Sequence, residues 1–202
     1  MNAAHVLLVE DDPALRMMLR GILEMHDFQV SEADRREAAM ACLRADGTIA
    51  VVLLDFGLPP HPHQIVEGLA TLRAIQAEIL QVKVIVLTGQ DQEEAALEAI
   101  REGAFDFLAK PAAGDTILRA VRRALLFLHK ERQLGQEGIT RIAINAQVGD
   151  GLKGVRDDAE ERLVRHVLKE TGFNVFQSAK RLGVKRENMY YLMNKYGIAR
   201  DD

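Results

Sequence analysis

The 202 residues include a single cysteine, Cys42. No disulfide can form within the chain, and a reducing compartment suits it. Cys42 falls in an alanine-rich helical stretch, where the ordinary role of such a residue is a small buried hydrophobe. No apolar run approaches the roughly 20 residues that a membrane-crossing helix needs. The start, Met1-Asn2-Ala3-Ala4-His5, has no basic segment leading into a signal core. A cytoplasmic protein with no membrane partner is the expectation.

The apolar fraction is 48% and the charged fraction 28%, ordinary for a globular protein with a real core. The formal charge of −4 hides an asymmetry. Residues 1–130 carry 13 Lys and Arg against 19 Asp and Glu, a net of −6. Residues 131–202 carry 13 against 11, a net of +2, and residues 174–200 six against Glu187 alone, a net of +5. An acidic front and a small basic end predict two domains, the second facing an anionic partner.

The run Val51-Val52-Leu53-Leu54-Asp55 reads as a strand buried on both faces with a carboxylate where it leaves the sheet. Four more such runs precede or follow it, at 5–9, 28–30, 83–87 and 104–108. Helical spacing separates them: Pro13 to about Met25 behind an Asp12 N-cap, 35–45, 65–79, 91–102 and Gly114 to about Leu134. Five β-then-α units predict a parallel, doubly wound five-stranded sheet. Right-handed crossovers then bring every strand's carboxyl end to one edge, where ligands bind in such sheets.

Glu10, Asp11, Asp55, Thr88 and Lys110 all fall at those ends. Singly they read as caps, a turn hydroxyl and a surface lysine. Together, three carboxylates offer the hard oxygen ligands Mg²⁺ prefers, and Lys110 and Thr88 offer a cation and a hydroxyl for an added phosphoryl group. An aspartate that accepts a phosphoryl group covalently needs that arrangement. A haloacid-dehalogenase-type phosphatase would place a second aspartate two residues after its nucleophile; Gly57 stands there instead. The chain is expected not to be an enzyme of that kind.

Val9-Glu10-Asp11-Asp12, Leu54-Asp55, Leu87-Thr88-Gly89 and Lys110-Pro111 resemble the receiver domain of bacterial two-component response regulators, over roughly residues 4–130. The resemblance implies that a histidine kinase phosphorylates Asp55. It also implies that Asp11 binds Mg²⁺ with help from Glu10, Asp55 and Gly57, and that Thr88 and Lys110 contact the phosphoryl group. Phe107 matches the aromatic switch position. The loop Phe56 to Gln64 is longer than is usual there, and its His61 and His63 are too few to hold a metal. Gly57-Leu58-Pro59-Pro60 and Glu67-Gly68-Leu69-Ala70-Thr71-Leu72 are similar to receivers of the PEP-CTERM-associated regulators, within the NtrC family.

Residues 131–156 are expected to be a linker, its helices interrupted by Gly135, Gly138, Gly149, Gly151 and Gly154, with a short ordered piece around 139–144. The linker holds no phosphate-cradling loop and is too short for a domain of some 50 residues. From 157 to 202 three short helices are expected. Asp157 or Asp158 would cap the first, which stops at Gly172, and Asn174 the second, with Gly183 at its end. Two helices joined by a tight glycine turn fit a helix-turn-helix or a plain three-helix module. Ala179-Lys180-Arg181-Leu182-Gly183-Val184, Met189-Tyr190 and Lys195-Tyr196-Gly197-Ile198 resemble the Fis-type helix-turn-helix that ends NtrC-family activators. In that resemblance residues 185–196 are the recognition helix.

Lys185, Arg186, Asn188, Tyr190, Tyr191, Asn194 and Lys195 are then the candidate DNA contacts. Lys185 replaces the usual capping serine, Asn188 the usual threonine, and Tyr191 and Leu192 common basic positions. Such activators carry a central AAA+ ATPase that this chain has no room for between its ends, so ATP turnover is not expected. A homodimer is expected: the stripe Leu118, Val121, Leu125 and Leu128 packs on the sheet with at least part of its face, and the continuation at 130–134 projects beyond the sheet, where a partner helix could cover it. The alternative is a receiver acting through protein contacts, its last helices serving dimerisation alone.

Overall fold

The computed structural model describes residues 3–78, 81–89, 92–141 and 151–199, with the side chains of residues 92–94 left out. The chain divides into two compact units, residues 1–140 and 141–202.

The first unit alternates strand and helix: β1 (His5–Val9), α1 (Pro13–Glu24), β2 (Gln29–Ala33), α2 (Arg36–Ala45), β3 (Ile49–Asp55), α3 (Val66–Glu78), β4 (Lys83–Thr88), α4 (Gln92–Arg101), β5 (Asp106–Ala109) and α5 (Gly114–Gln136). The strands form one parallel sheet in the order β2-β1-β3-β4-β5. Strand side chains alternate faces, and the core divides accordingly. Leu7, Val9, Val52, Leu54, Val84 and Val86 join one cluster with α2 and α3. Val6, Leu8, Val51, Leu53, Ile85 and Leu87 join the other with α1 and α5. Every residue of β1 and β3 is buried. Their unbroken apolar runs reflect that burial on both faces.

Local signals set the element ends. Asp12 Oδ1 accepts from the backbone N–H of Ala14 at 2.8 Å and of Leu15 at 3.0 Å, with Pro13 opening α1. β2 is longer than its apolar core suggests, continuing through Ser31 and Glu32 because it is paired along its length with β1. β5 begins at Asp106 rather than Ala104. Ile79 and Asp91, expected at helix ends, lie outside the described residues.

Leu118, Val121 and Leu128 of α5 are buried in the core and Leu125 packs against it, so the whole of that stripe covers the sheet. One expectation about α5 is corrected: the helix does not leave the sheet at residue 130. Glu131 holds Lys83 of β4 at 2.6 Å, and Phe127 lies against Phe105 with ring centroids 5.4 Å apart.

The second unit holds α6 (Gly151–Glu170), α7 (Val175–Leu182) and α8 (Arg186–Lys195) around Val164, Leu168, Ala179, Met189, Leu192 and Ile198. Here the linker expectation is corrected too. Gly135 lies within α5, Gly151 opens α6 at a φ of 72°, Gly154 lies within α6, and Asp157 and Asp158 are interior to α6 rather than capping it. A glycine inside an exposed helix costs about 1 kcal/mol, and adding turns to a nucleated helix is easy. The buried half of α6, Val164 to Leu168, supplies the nucleus. Residues 142–144 of the short ordered piece lie outside the described residues, as does Gly149. Asn174 does cap α7, its Oδ1 accepting from the N–H of Gln177 at 3.1 Å, and Gly183 ends it at a φ of 67°. No described helix is long and apolar enough to cross a membrane.

Candidate phosphoacceptor edge and helix-turn-helix

The strand register builds the first site. Val9 pairs with Leu54, Asp55 with Leu87, and Thr88 with Ala109. Glu10, Asp55, Thr88 and Lys110 therefore follow one another along the carboxyl edge of four neighbouring strands. Neighbouring strands lie about 4.8 Å apart, close enough for side chains to meet. Carboxylate oxygens of Glu10, Asp11 and Asp55 lie within 4.8 Å of one another. Glu10, Asp55 and Thr88 are buried and Asp11 is half-buried.

Lys110 reaches into this group. Its amino group donates to Glu10 Oε2 at 2.6 Å and lies 2.9 Å from Asp55 Oδ2. The Gly57 N–H donates to Asp55 Oδ1 at 3.1 Å, and the Lys110 N–H to the Thr88 carbonyl at 2.7 Å. Arg16, which the sequence reading passed over, donates from Nη1 to the Glu10 carbonyl at 2.6 Å and fixes the turn after β1. Its signal was its place one turn beyond the Asp12 cap, facing back to the strand end. Phe107 packs half-buried against the α2 and α3 side of the core.

Two glycines shape the loop after Asp55. A Cβ on Gly68 would sit 2.2 Å from Phe56 Cα and 2.8 Å from the Asp55 carbonyl oxygen, so only glycine lets α3 approach the strand end. A Cβ on Gly57 would lie 2.5 Å from the Pro62 carbonyl oxygen, so the long loop folds back over that residue. Phe56 and Leu58 anchor the loop in the core, while His61 and His63 stay exposed. Neither histidine joins a group of three metal-ligating side chains among the described residues.

Three carboxylates facing one ammonium leave this edge short of positive charge. Burial pushes the Glu10 carboxyl up to about 7, and the neighbouring Asp55 adds to the rise against the opposing hydrogen bond from Lys110. Burial works against the Lys110 ammonium, but its hydrogen bonds to Glu10 and Asp55 prevail and raise its pKa. Hard oxygen donors, lacking compensating charge, on an open sheet edge fit a small divalent cation of the Mg²⁺ type. Glu10, Asp11 and Asp55 would hold it.

The family comparison agrees with this geometry. Residues 6–122 match the family described as "Response regulator receiver domain". The chain belongs to that family. Residues 155–196 match a second, "Bacterial regulatory protein, Fis family". This response regulator is 31% identical over 167 residues to the C4-dicarboxylate transport transcriptional regulatory protein DctD of Rhizobium meliloti, covering 83% of the chain and 34% of DctD. It is 30% identical over 132 residues to the nitrogen assimilation regulatory protein NtrX of Azorhizobium caulinodans, covering 65% of the chain and 28% of NtrX. Among solved structures, NtrX from Brucella abortus in complex with ADP superposes with a TM-score of 0.61 at 27% identity, covering 80% of the chain and 34% of that protein. The relatives are NtrC-family regulators, and the chain spans about a third of their length. The 32 residues between its two matched stretches leave no room for a further domain there.

In the Fis-type unit α7 and α8 form the helix-turn-helix, and the structure places the sequence candidates unevenly. Lys185, Arg186, Asn188, Tyr190, Tyr191 and Asn194 are exposed along α8 and its start. Lys185 caps α8 by position but makes no side-chain capping bond. Arg186 Nη2 donates to the Tyr190 hydroxyl at 3.1 Å, its guanidinium carbon 5.6 Å from the ring centroid. Lys195 is different: its amino group is held by Asp157 at 2.8 Å and lies 3.6 Å from Glu160, both on α6.

Proposed function

We propose that this response regulator receives a phosphoryl group on Asp55 from a sensor histidine kinase, and that the phosphorylated state controls binding of DNA by residues 174–200. The observation that carries the reading is the meeting of Glu10, Asp11, Asp55 and Lys110 within one cluster at the sheet edge. An Asp55 carboxylate oxygen would bond to the phosphorus as the P–N bond of a phosphohistidine breaks, and the released imidazole would retain the bonding electron pair and take up a proton. Lys110, already 2.9 Å from Asp55, would turn to the arriving phosphoryl oxygens, and the Thr88 hydroxyl would donate to another. Mg²⁺ held by Glu10, Asp11, Asp55 and the backbone of Gly57 would supply the remaining positive charge. The modification adds nearly two negative charges beside Thr88 and Phe107, enough to bias the adjoining segments. The setting is the cytoplasm, with no membrane partner.

In the C-terminal unit, Arg186, Lys185, Asn188, Tyr190, Tyr191 and Asn194 form the DNA-facing side, with Lys195 joining if it leaves Asp157. A homodimer would present two such helices to half-sites about one DNA turn apart. With the α5 stripe occupied, the surface suited to it is the first half of α6, where Leu152 is 87% exposed.

The test uses a small acyl-phosphate donor with Mg²⁺. Wild type should take up one phosphoryl group and bind its upstream DNA more tightly. Asp55→Asn should do neither, and EDTA should abolish both. Labelling of Asp55→Asn, or labelling of the wild type undiminished by EDTA, sinks the assignment. A second reading, dimerisation by the last helices without DNA, draws on the ion pairing of Lys195, which leaves α8 fewer free cations. Wild type that dimerises but never shifts DNA would decide for it.

A further inference from the structure

We infer that the receiver unit carries its own contact for nucleic acid: the outer face of α5 grips the phosphate backbone of duplex DNA bound by the C-terminal unit. The inference rests on the DNA-binding reading above and adds a surface to it. Residues 1–130 have a net charge of −6, yet α5 reverses that sign. Its residues 114–136 hold five Lys and Arg against Asp115 and Glu131, and Glu131 is taken by Lys83.

At about 100° per residue, Arg119, Arg122, Arg123, Leu126 and Lys130 fall within one narrow sector. The sheet-facing residues Ile117, Val121, Ala124 and Leu128 occupy the other side. All five of the outer residues are exposed. Arg123 is paired with Asp106 of β5. Arg119 donates only to the Asp115 carbonyl of its own helix, and Lys130 only to the Gln133 side chain. Among the described residues no carboxylate neutralises Arg119, Arg122 or Lys130.

Such a ridge suits a polyanion better than a protein. A protein interface concentrates apolar and aromatic residues at its centre and, arginine apart, is poor in charge there. This ridge offers one apolar side chain, Leu126 at 61% exposure, surrounded by cations. From Arg119 to Lys130 it runs about 16 Å, the axial length over which one DNA strand carries about five phosphates. Among the described side chains, the carboxylates that a second copy would offer from α4 and its end are already paired, Glu98 with Arg101 and Glu102 with Arg73. Only 14 residues separate α5 from α6. DNA held by the C-terminal unit would thus meet α5 at a high effective concentration, on the order of millimolar for a linkage of so few residues.

The experiment measures binding of the full chain to a labelled mixed-sequence duplex of about three helical turns, by fluorescence anisotropy across salt concentrations. Replacing Arg119, Arg122 and Lys130 together by Gln should flatten the salt dependence by about three phosphate contacts. Wild type would then lose roughly 40-fold more affinity than this variant between 50 and 200 mM salt. Arg119→Lys with Arg122→Lys should keep the wild-type slope, since charge is retained. The Gln variant should melt like wild type without DNA, because all three residues are exposed. An unchanged slope in the Gln variant, with wild type binding normally, overturns the inference and leaves the C-terminal reading intact. No wild-type binding even at 50 mM overturns both. Unchanged DNA binding with loss of adhesion to phosphatidylglycerol vesicles assigns the ridge to a lipid surface and also overturns it.

Discussion

Lys110 Nζ lies 2.9 Å from Asp55 Oδ2 while donating to Glu10 Oε2 at 2.6 Å, so one ammonium holds two buried carboxylates of the sheet edge. Removing one partner of such a group leaves the others as uncompensated buried charge. Lys110→Ala should cost roughly 3 kcal/mol at pH 8 in EDTA. Mg²⁺ should stabilise the variant more than the wild type, because it replaces the missing positive charge. Urea titrations with and without Mg²⁺ check this. Equal midpoints for the two proteins in EDTA would show that Lys110 does not neutralise the edge.

The raised Glu10 sets a pH dependence with a definite sign. Its folded pKa of about 7 exceeds the ordinary 4.5. In the metal-free protein the native state therefore keeps a proton that the unfolded chain releases. The contribution is fully present below about pH 4.5 and is lost as pH rises through 7. Relative to Glu10→Gln, wild type in EDTA should lose up to about 3 kcal/mol across that window and then level off. Urea midpoints of both proteins between pH 5 and 8 measure the difference. Parallel curves would contradict the assignment.

Gly68→Ala brings a methyl to within 2.2 Å of the Phe56 backbone, which cannot yield as a side-chain tip would. The expected cost is about 3 kcal/mol, at the upper end for overpacking. Phosphoryl uptake should also slow, because Phe56 directly follows Asp55. Thermal melts and a labelling time course read both effects. A variant that melts with the wild type would mean that α3 can shift away from the loop at no cost.

Arg186→Ala should weaken DNA binding by about 1–3 kcal/mol if the guanidinium reads a base bidentately. Lys195→Ala should do less to DNA, since its amino group already serves Asp157 and Glu160 on α6. Gel-shift titrations of both variants rank them. A larger loss for Lys195→Ala, with the fold intact by circular dichroism, would mean that the lysine leaves α6 on binding DNA.

By itself the sequence determined the alternation of strands and helices, and with it the edge where Glu10, Asp11, Asp55, Thr88 and Lys110 gather. Buried parallel strands must be apolar along their whole length, and crossovers have one hand, so strand-end residues converge whatever the detail between them. Asp12 and Asn174 were readable for a similar reason, because a cap acts within three residues of itself. Only the tertiary structure decided the fate of the glycines at 151 and 154, the use of the α5 stripe and the state of Lys195. Glycine's local preference, about 1 kcal/mol, was outweighed by a helix nucleated on a core about three to four turns away. The spacing of Leu118, Val121, Leu125 and Leu128 is the same for a helix covering a sheet as for one pairing with a copy, and the position of β3 and β4 beneath it chose the first. Lys195 meets Asp157 across 38 residues of chain, and no local pattern encodes which distant carboxylate a folded helix brings within reach.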